Sequence, residues 1–236
     1  MIGTLFTTRR GGVSVPPYDE LNLGGAVGDD PAVVRVNRTV LAEQVGLPAE
    51  KFVWMKQVHS AVVRVVGRAG DASPGDCDGI VTDAPGVALG VLAADCVPIL
   101  AGDARTGVIG AAHAGRRGAA GGIAVRLVSA MADLGAAAAD ITVWLGPAIC
   151  GRCYEVPADM RDEVERTLSG SACRTDRDTP GLDLRAGLRR QLSALGVQRV
   201  NVDTRCTHTD PDLFSHRRGA PTGRQAGVIW RSPGRV

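Results

Sequence analysis

Three apolar runs, residues 87–94, 97–101 and 107–112, crowd into one short stretch of the chain. Each is long enough only for a strand, and Asp95 and Cys96 alone separate the first two. Such adjacent runs read as hairpin-like, which favours a mixed sheet over a pure βαβ series. Further strands are expected at 52–55 (FVWM), 61–66 (AVVRVV), 79–82, 141–145 (ITVWL) and 197–202. Asp30-Pro31 opens a helix carrying Val33, Val34, Val40, Leu41 and Val45, which Gly46 ends. Helices are also expected over 119–134 and about 157–168. In a last one, Asp183 caps a face of Leu184, Leu188, Leu192 and Leu195 before Gly196 stops it. Residues 11–30 read as an irregular ordered loop and 169–181 as a surface loop. This irregular alternation predicts an α/β (α+β mixed) fold built on a mixed sheet, with residues 1–236 as one domain.

Composition narrows the function. The 27 Lys and Arg against 25 Asp and Glu leave a net charge of +2, which argues against a nucleic-acid surface. Aromatic residues make up 3%, too few for a base-stacking platform. No stretch reads as a signal peptide or a bilayer span, so the expected location is cytoplasmic, with no membrane partner. In that reducing compartment the six cysteines are expected as thiols or ligands. Nothing in the sequence sets an oligomeric state.

The chain has four histidines. His59 (in WMKQVHS), Cys96 (in AADCVPIL) and His113 (in AAHAGRRG) all fall at expected strand ends, where sheets of this class gather their sites. Two imidazoles and a thiolate suit Zn²⁺, with a fourth position open as in catalytic sites. Their spacing follows no short zinc signature, and on residue types alone two hydrogen-bonded core histidines and an inert thiol are the better-supported reading. A third reading makes Cys96 a nucleophile, His113 its base and Asp95 an orienting acid. Cys150 and Cys153 form a CxxC without a second pair, with Cys77, Cys173 and Cys206 scattered singly, and are expected to be incidental. Arg9, Arg116 and Arg117 stand beside glycines and suit an anion, whereas Arg217-Arg218 read as solvated surface.

Taken together, TTRRGGVS, PYDELNLGGAVGDD, VNR, KQVHS, AADCVPIL, AAHAGRRG, GPAICGRCYEV, DLRAGL and RCTHTDPDLFSHRR…TGRQAGVIW resemble the YfiH-type family, in order from about Thr7 to Trp230. Its members have been called laccase-domain proteins or multicopper polyphenol oxidases, and are described as purine nucleoside phosphorylases. The resemblance favours the metal reading, placing the family's zinc ligands on His59, Cys96 and His113. It implies a mixed β-sheet sandwich with flanking helices, similar to a bacterial toxin deamidase fold. It also implies phosphorolysis of adenosine, inosine, guanosine and methylthioadenosine, with adenosine deamination beside it. Small-molecule nucleoside and phosphate are then the partners. The alternative that travels with the family is peptidoglycan editing, as a Cys-His hydrolase acting on muropeptide precursors. Asp95 and Glu155 (in CYEV) are the expected proton shuttles, and Arg9, Asn37, Gln57, Arg116 and Arg117 the expected substrate-binding residues. Zinc is the expected metal and copper the lesser alternative, since four histidines cannot ligate a multicopper cluster. The chain departs from the family pattern at Ala26 (His in the family), Arg116 (Trp) and His208 (Tyr).

Overall fold

A computed structural model describes residues 1–67 and 74–232. Strand β1 (Ile2–Phe6) leads through the irregular loop to helix α1 (Pro31–Val45). Asp30 accepts a hydrogen bond from the Ala32 N–H at 2.7 Å, and Gly46 ends the helix at φ 74°. Next come β2 (Phe52–Trp54), β3 (Val63–Val65), β4 (Gly79–Thr82), β5 (Ala88–Ala93), β6 (Val97–Asp103) and β7 (Ile109–Ala114). Two helices follow, α2 (Arg116–Ala120) and α3 (Ile123–Asp133), then β8 (Ile141–Leu145) and α4 (Ala158–Thr167). The chain ends with β9 (Ala172–Arg174), β10 (Pro180–Leu182), α5 (Leu184–Ala194), β11 (Arg199–Val202) and β12 (Gln225–Arg231).

Two mixed sheets organise the protein. One has the order β1-β12-β5-β2, the other β11-β8-β6-β7-β4-β3. Side-chain alternation along the strands sorts the core into three layers. Ile80, Leu100, Ile109 and Ala111 of the six-stranded sheet meet Leu89, Val91 and Ile229 of the four-stranded one. The next residues along, Val81, Ile99, Ala101 and Ala112, face Leu127 and Met131 of α3 and Leu188 and Leu192 of α5. On the far side, Ala88 and Val228 pack with Leu41 of α1 and with Leu21 and Leu23 of the irregular loop. Each large apolar side chain so enclosed contributes roughly 1.5–3 kcal/mol. The architecture is therefore a mixed α/β sandwich with helices on its outer faces.

Several elements differ from the sequence expectation. The apolar runs at 87–94 and 97–101 do not form a hairpin. Their two-residue break is where the chain passes from one sheet to the other, with Asp95 at φ 92°. The helix expected over 119–134 is two helices, because Gly121-Gly122 interrupts it with Gly122 left-handed at φ 82°. The surface loop at 169–181 contains the β9–β10 hairpin. Strands β1 and β12 went unforeseen. They pair antiparallel, Ile2 with Arg231 through Phe6 with Gly227, joining the two ends of the chain.

Candidate metal centre

Three connections converge on one point of the sandwich. His59 sits between β2 and β3 in a left-handed backbone conformation, φ 61°. Cys96 occupies the crossover between sheets, and His113 lies in β7 opposite Pro98 of β6. One ligand atom from each of the three lies within 4.8 Å of the others. Cys96 Sγ is 3.9 Å from His59 Nε2, and the two imidazoles meet edge to face with centroids 4.7 Å apart. Gly115 makes this approach feasible: a Cβ there would fall 2.7 Å from His59 Cδ2 and 3.1 Å from Cys96 Sγ.

One residue that the sequence reading did not single out organises the group. Asp78, 0% exposed at the start of β4, has Oδ1 2.8 Å from His113 Nδ1. It also accepts hydrogen bonds from the backbone N–H groups of Val58, His59 and Ser60 and from the Ser60 hydroxyl. A single carboxylate thus holds the His59 loop and directs His113 Nε2 away from itself, toward the cluster. This carboxylate–histidine arrangement is the usual support of a metal-bound imidazole.

The electrostatics follow from these contacts. Burial raises the Asp78 pKa, but the donors around it outweigh burial and hold it well below the usual carboxylate range. For His113, burial acts downward, while Asp78 and Cys96 overcome it and raise the pKa to about 9. Burial acts upward on Cys96, and His113 and His59 overcome it, lowering its pKa to about 6. Without a cation the site thus favours a thiolate beside an imidazolium. That donor set, one thiolate and two imidazoles with His113 3% exposed and His59 facing solvent, fits a Zn²⁺ or copper ion with a position left open.

The open side faces a cavity of about 700 Å³, within the usual range for small-molecule sites. Asp95, Gln57 and Arg116, all expected at the site, line it together with His59, Cys96 and His113. The Asp95 carboxylate accepts hydrogen bonds from the Thr207 hydroxyl at 2.6 Å and the Arg217 N–H at 2.7 Å. Both ends of the Gln57 amide bond the backbone of Leu92, so Gln57 braces the wall. Trp54 and Tyr154 add aromatic surface. Ala26 also lies on the wall, so the departure from the family's His leaves only a methyl group there.

Four expected residues stand elsewhere. The Arg9 guanidinium is tied to Asp19 and lies over Phe214, lining a separate depression. Asn37 is 0% exposed. Its amide is consumed by Val13, Ser14, Glu20 and Asn22, and so anchors the irregular loop to α1. Arg117 is exposed and lies outside the cavity lining. Glu155 pairs with Arg177 at 2.6 Å and lines a neighbouring depression.

In their place the fold brings Arg38, Arg217 and Arg224 to the cavity beside Arg116. None of these four arginines is in an ion pair among the described residues, although Arg38, Arg217 and Arg224 donate to backbone carbonyls of Leu23, Glu155 and Thr222. Arg217, expected as solvated surface, lies over the Tyr154 ring. Cys206 does not stand alone either: its sulfur lies within 4.8 Å of those of Cys150 and Cys153.

The chain resembles proteins of known family along nearly its whole length. A protein of Mycobacterium tuberculosis named purine nucleoside phosphorylase is 55% identical over 224 residues, covering 95% of this chain and 90% of that one. One of the same name from Corynebacterium glutamicum is 50% identical over 232 residues, 96% of this chain and 93% of that one. The crystal structure of YlmD from Geobacillus stearothermophilus superposes with a TM-score of 0.92 at 37% identity, covering 98% of this chain and 92% of that one. Residues 3–232 match the family described as multi-copper polyphenol oxidoreductase laccase, and the chain belongs to that family.

Proposed function

We propose that the protein is a zinc-dependent purine nucleoside phosphorylase acting on adenosine, inosine, guanosine and methylthioadenosine, with hydrolytic deamination of adenosine as a side activity. The observation that carries this reading is the pairing of a His-Cys-His donor set with four arginines, in no ion pair among the described residues, around one cavity. Relatives at 50–55% identity named for that activity support it. Phosphorolysis joins a phosphate oxygen to C1′ of the ribose and breaks the C1′–N9 bond. The bonding pair leaves with the purine, which takes up a proton. Arg116, with Arg217 and Arg224 nearby, supplies the charge-assisted contacts that hold the phosphate dianion. Trp54 and Tyr154 offer the apolar surface for the purine. Asp95, the carboxylate on the cavity wall, is the residue to hold and move the proton. Its fixed bonds to Thr207 and Arg217 orient it. Zinc, when bound, supplies Lewis acidity at the cavity floor. The test is product analysis of adenosine with and without phosphate. Adenine and ribose 1-phosphate should form only with phosphate; their absence sinks the proposal.

One observation favours a second reading. Cys96, His113 and Asp78 form a thiol–imidazole–carboxylate chain, the arrangement of a Cys-His hydrolase, for which the family resemblance suggests muropeptide precursors as substrate. Such an enzyme works without metal and is silenced by alkylation of Cys96, so muropeptide cleavage by chelator-treated protein would select it.

A further inference from the structure

Behind the cavity wall lies a second cluster of soft donors. Cys150 and Cys153 belong to the turn after β8, where the N–H groups of Cys153 and Tyr154 both donate to the Cys150 carbonyl. Cys206 follows β11, and the two segments meet at a parallel bridge between Ala148 and Cys206. The three sulfurs, none in a disulfide, lie within 4.8 Å of one another. Tetrahedral coordination at a metal–sulfur distance of about 2.3 Å places ligand sulfurs about 3.8 Å apart, so only small side-chain adjustments separate this group from a ligand shell.

The backbone around Cys206 is arranged for charge on that sulfur, whereas burial and the two neighbouring sulfurs push the Cys153 thiol up. The Cys150 N–H donates to Cys206 Sγ at 3.3 Å and the N–H of His208 faces the same sulfur, while that of Thr209 donates to the Cys206 carbonyl at 3.2 Å. Amide donors converging on one sulfur support a thiolate ligand. A redox role fits less well. The CxxC turn precedes a bridge at Glu155 rather than a helix N-terminus, and α4 begins only at Ala158.

We infer that Cys150, Cys153 and Cys206 form a second metal site, selective for a thiophilic d¹⁰ cation, either Zn²⁺ or Cu⁺. Three thiolates suffice for trigonal Cu⁺, whereas Zn²⁺ takes an external fourth ligand. The site is structural and joins the two segments that hold Asp95. Ile149, next to Cys150, donates its N–H to the Asp95 carbonyl, and Thr207, next to Cys206, donates its hydroxyl to the Asp95 carboxylate. The metal therefore fixes the wall of the cavity without entering it.

The test uses full-length protein in a His113→Ala background, which removes a ligand of the other centre. Reduced protein is loaded in separate arms with Zn²⁺ or Cu⁺, desalted, and assayed for metal per chain and for thermal midpoint. In at least one arm, retained metal should fall by one ion per chain on Cys206→Ser and again on Cys153→Ser alone. Cys173→Ser, a thiol control, should keep it. Metal should raise the midpoint of the parent but not of Cys206→Ser, and the arm that does so names the ion. Circular dichroism of each variant confirms folding. Equal metal in the parent and both serine variants in both arms overturns the inference. So does a disulfide between any two of Cys150, Cys153 and Cys206 in the native protein, shown by an intact mass lower by two hydrogens and located by peptide mapping.

Discussion

His113 Nδ1 and Asp78 Oδ1 are 2.8 Å apart in the interior, and this contact orients the imidazole that completes the His-Cys-His group. Asp78→Asn retains the shape but offers one acceptor oxygen where the carboxylate offers two. It should weaken metal affinity about 10–100-fold and lower stability by about 1–3 kcal/mol, measured by competitive chelation and denaturant unfolding. The depressed pKa of Asp78 sets the pH dependence. Its contribution to stability is complete above the unfolded carboxylate value, near pH 4, and is lost as pH falls through the lower folded value. Wild type should lose more stability than Asp78→Asn on acidification over that window.

The two adjacent arginines of the HAGRRG segment should behave differently. Arg116 lines the cavity and Arg117 does not. Loss of a charge-assisted contact costs about 1.5–3 kcal/mol, so Arg116→Ala should raise the KM for phosphate by roughly tenfold or more. Arg117→Ala should stay close to wild type. Steady-state kinetics with varied phosphate check both, and the reverse order of effects would show that the anion binds elsewhere.

In metal-free protein, Cys96 should react with iodoacetamide as a thiolate from about pH 6 upward, because His113 and His59 lower its pKa to about 6. Reactivity should fall away below that pH. Added zinc should protect the residue. A reaction profile centred near pH 9, the ordinary thiol value, would show that the imidazoles do not act on it.

What the sequence revealed and what it hid follow from separation along the chain. The helix ends at Asp30, Gly46 and Asp183 are local hydrogen-bonding choices, and the structure reproduces them. Residue types brought His59, Cys96 and His113 forward as candidates, but only the family resemblance favoured a metal over two core histidines and an inert thiol; the structure brings the three together. Asp78 was hidden: it meets a histidine 35 residues away, and nothing local marks a carboxylate as buried. The same holds for the β1–β12 pairing and for Cys206. Asn37 misled for the opposite reason, since its motif is conspicuous but its amide is used wholly within the fold.

The central claim is that the His59–Cys96–His113 group holds the zinc on which phosphorolysis depends. The most direct measurement determines bound zinc and phosphate-dependent adenine release on the same preparations of wild type and His113→Ala. The variant should carry one zinc fewer per chain, with adenine and ribose 1-phosphate formation lost alongside it. A folded His113→Ala protein that keeps both its zinc and its adenine release would contradict it.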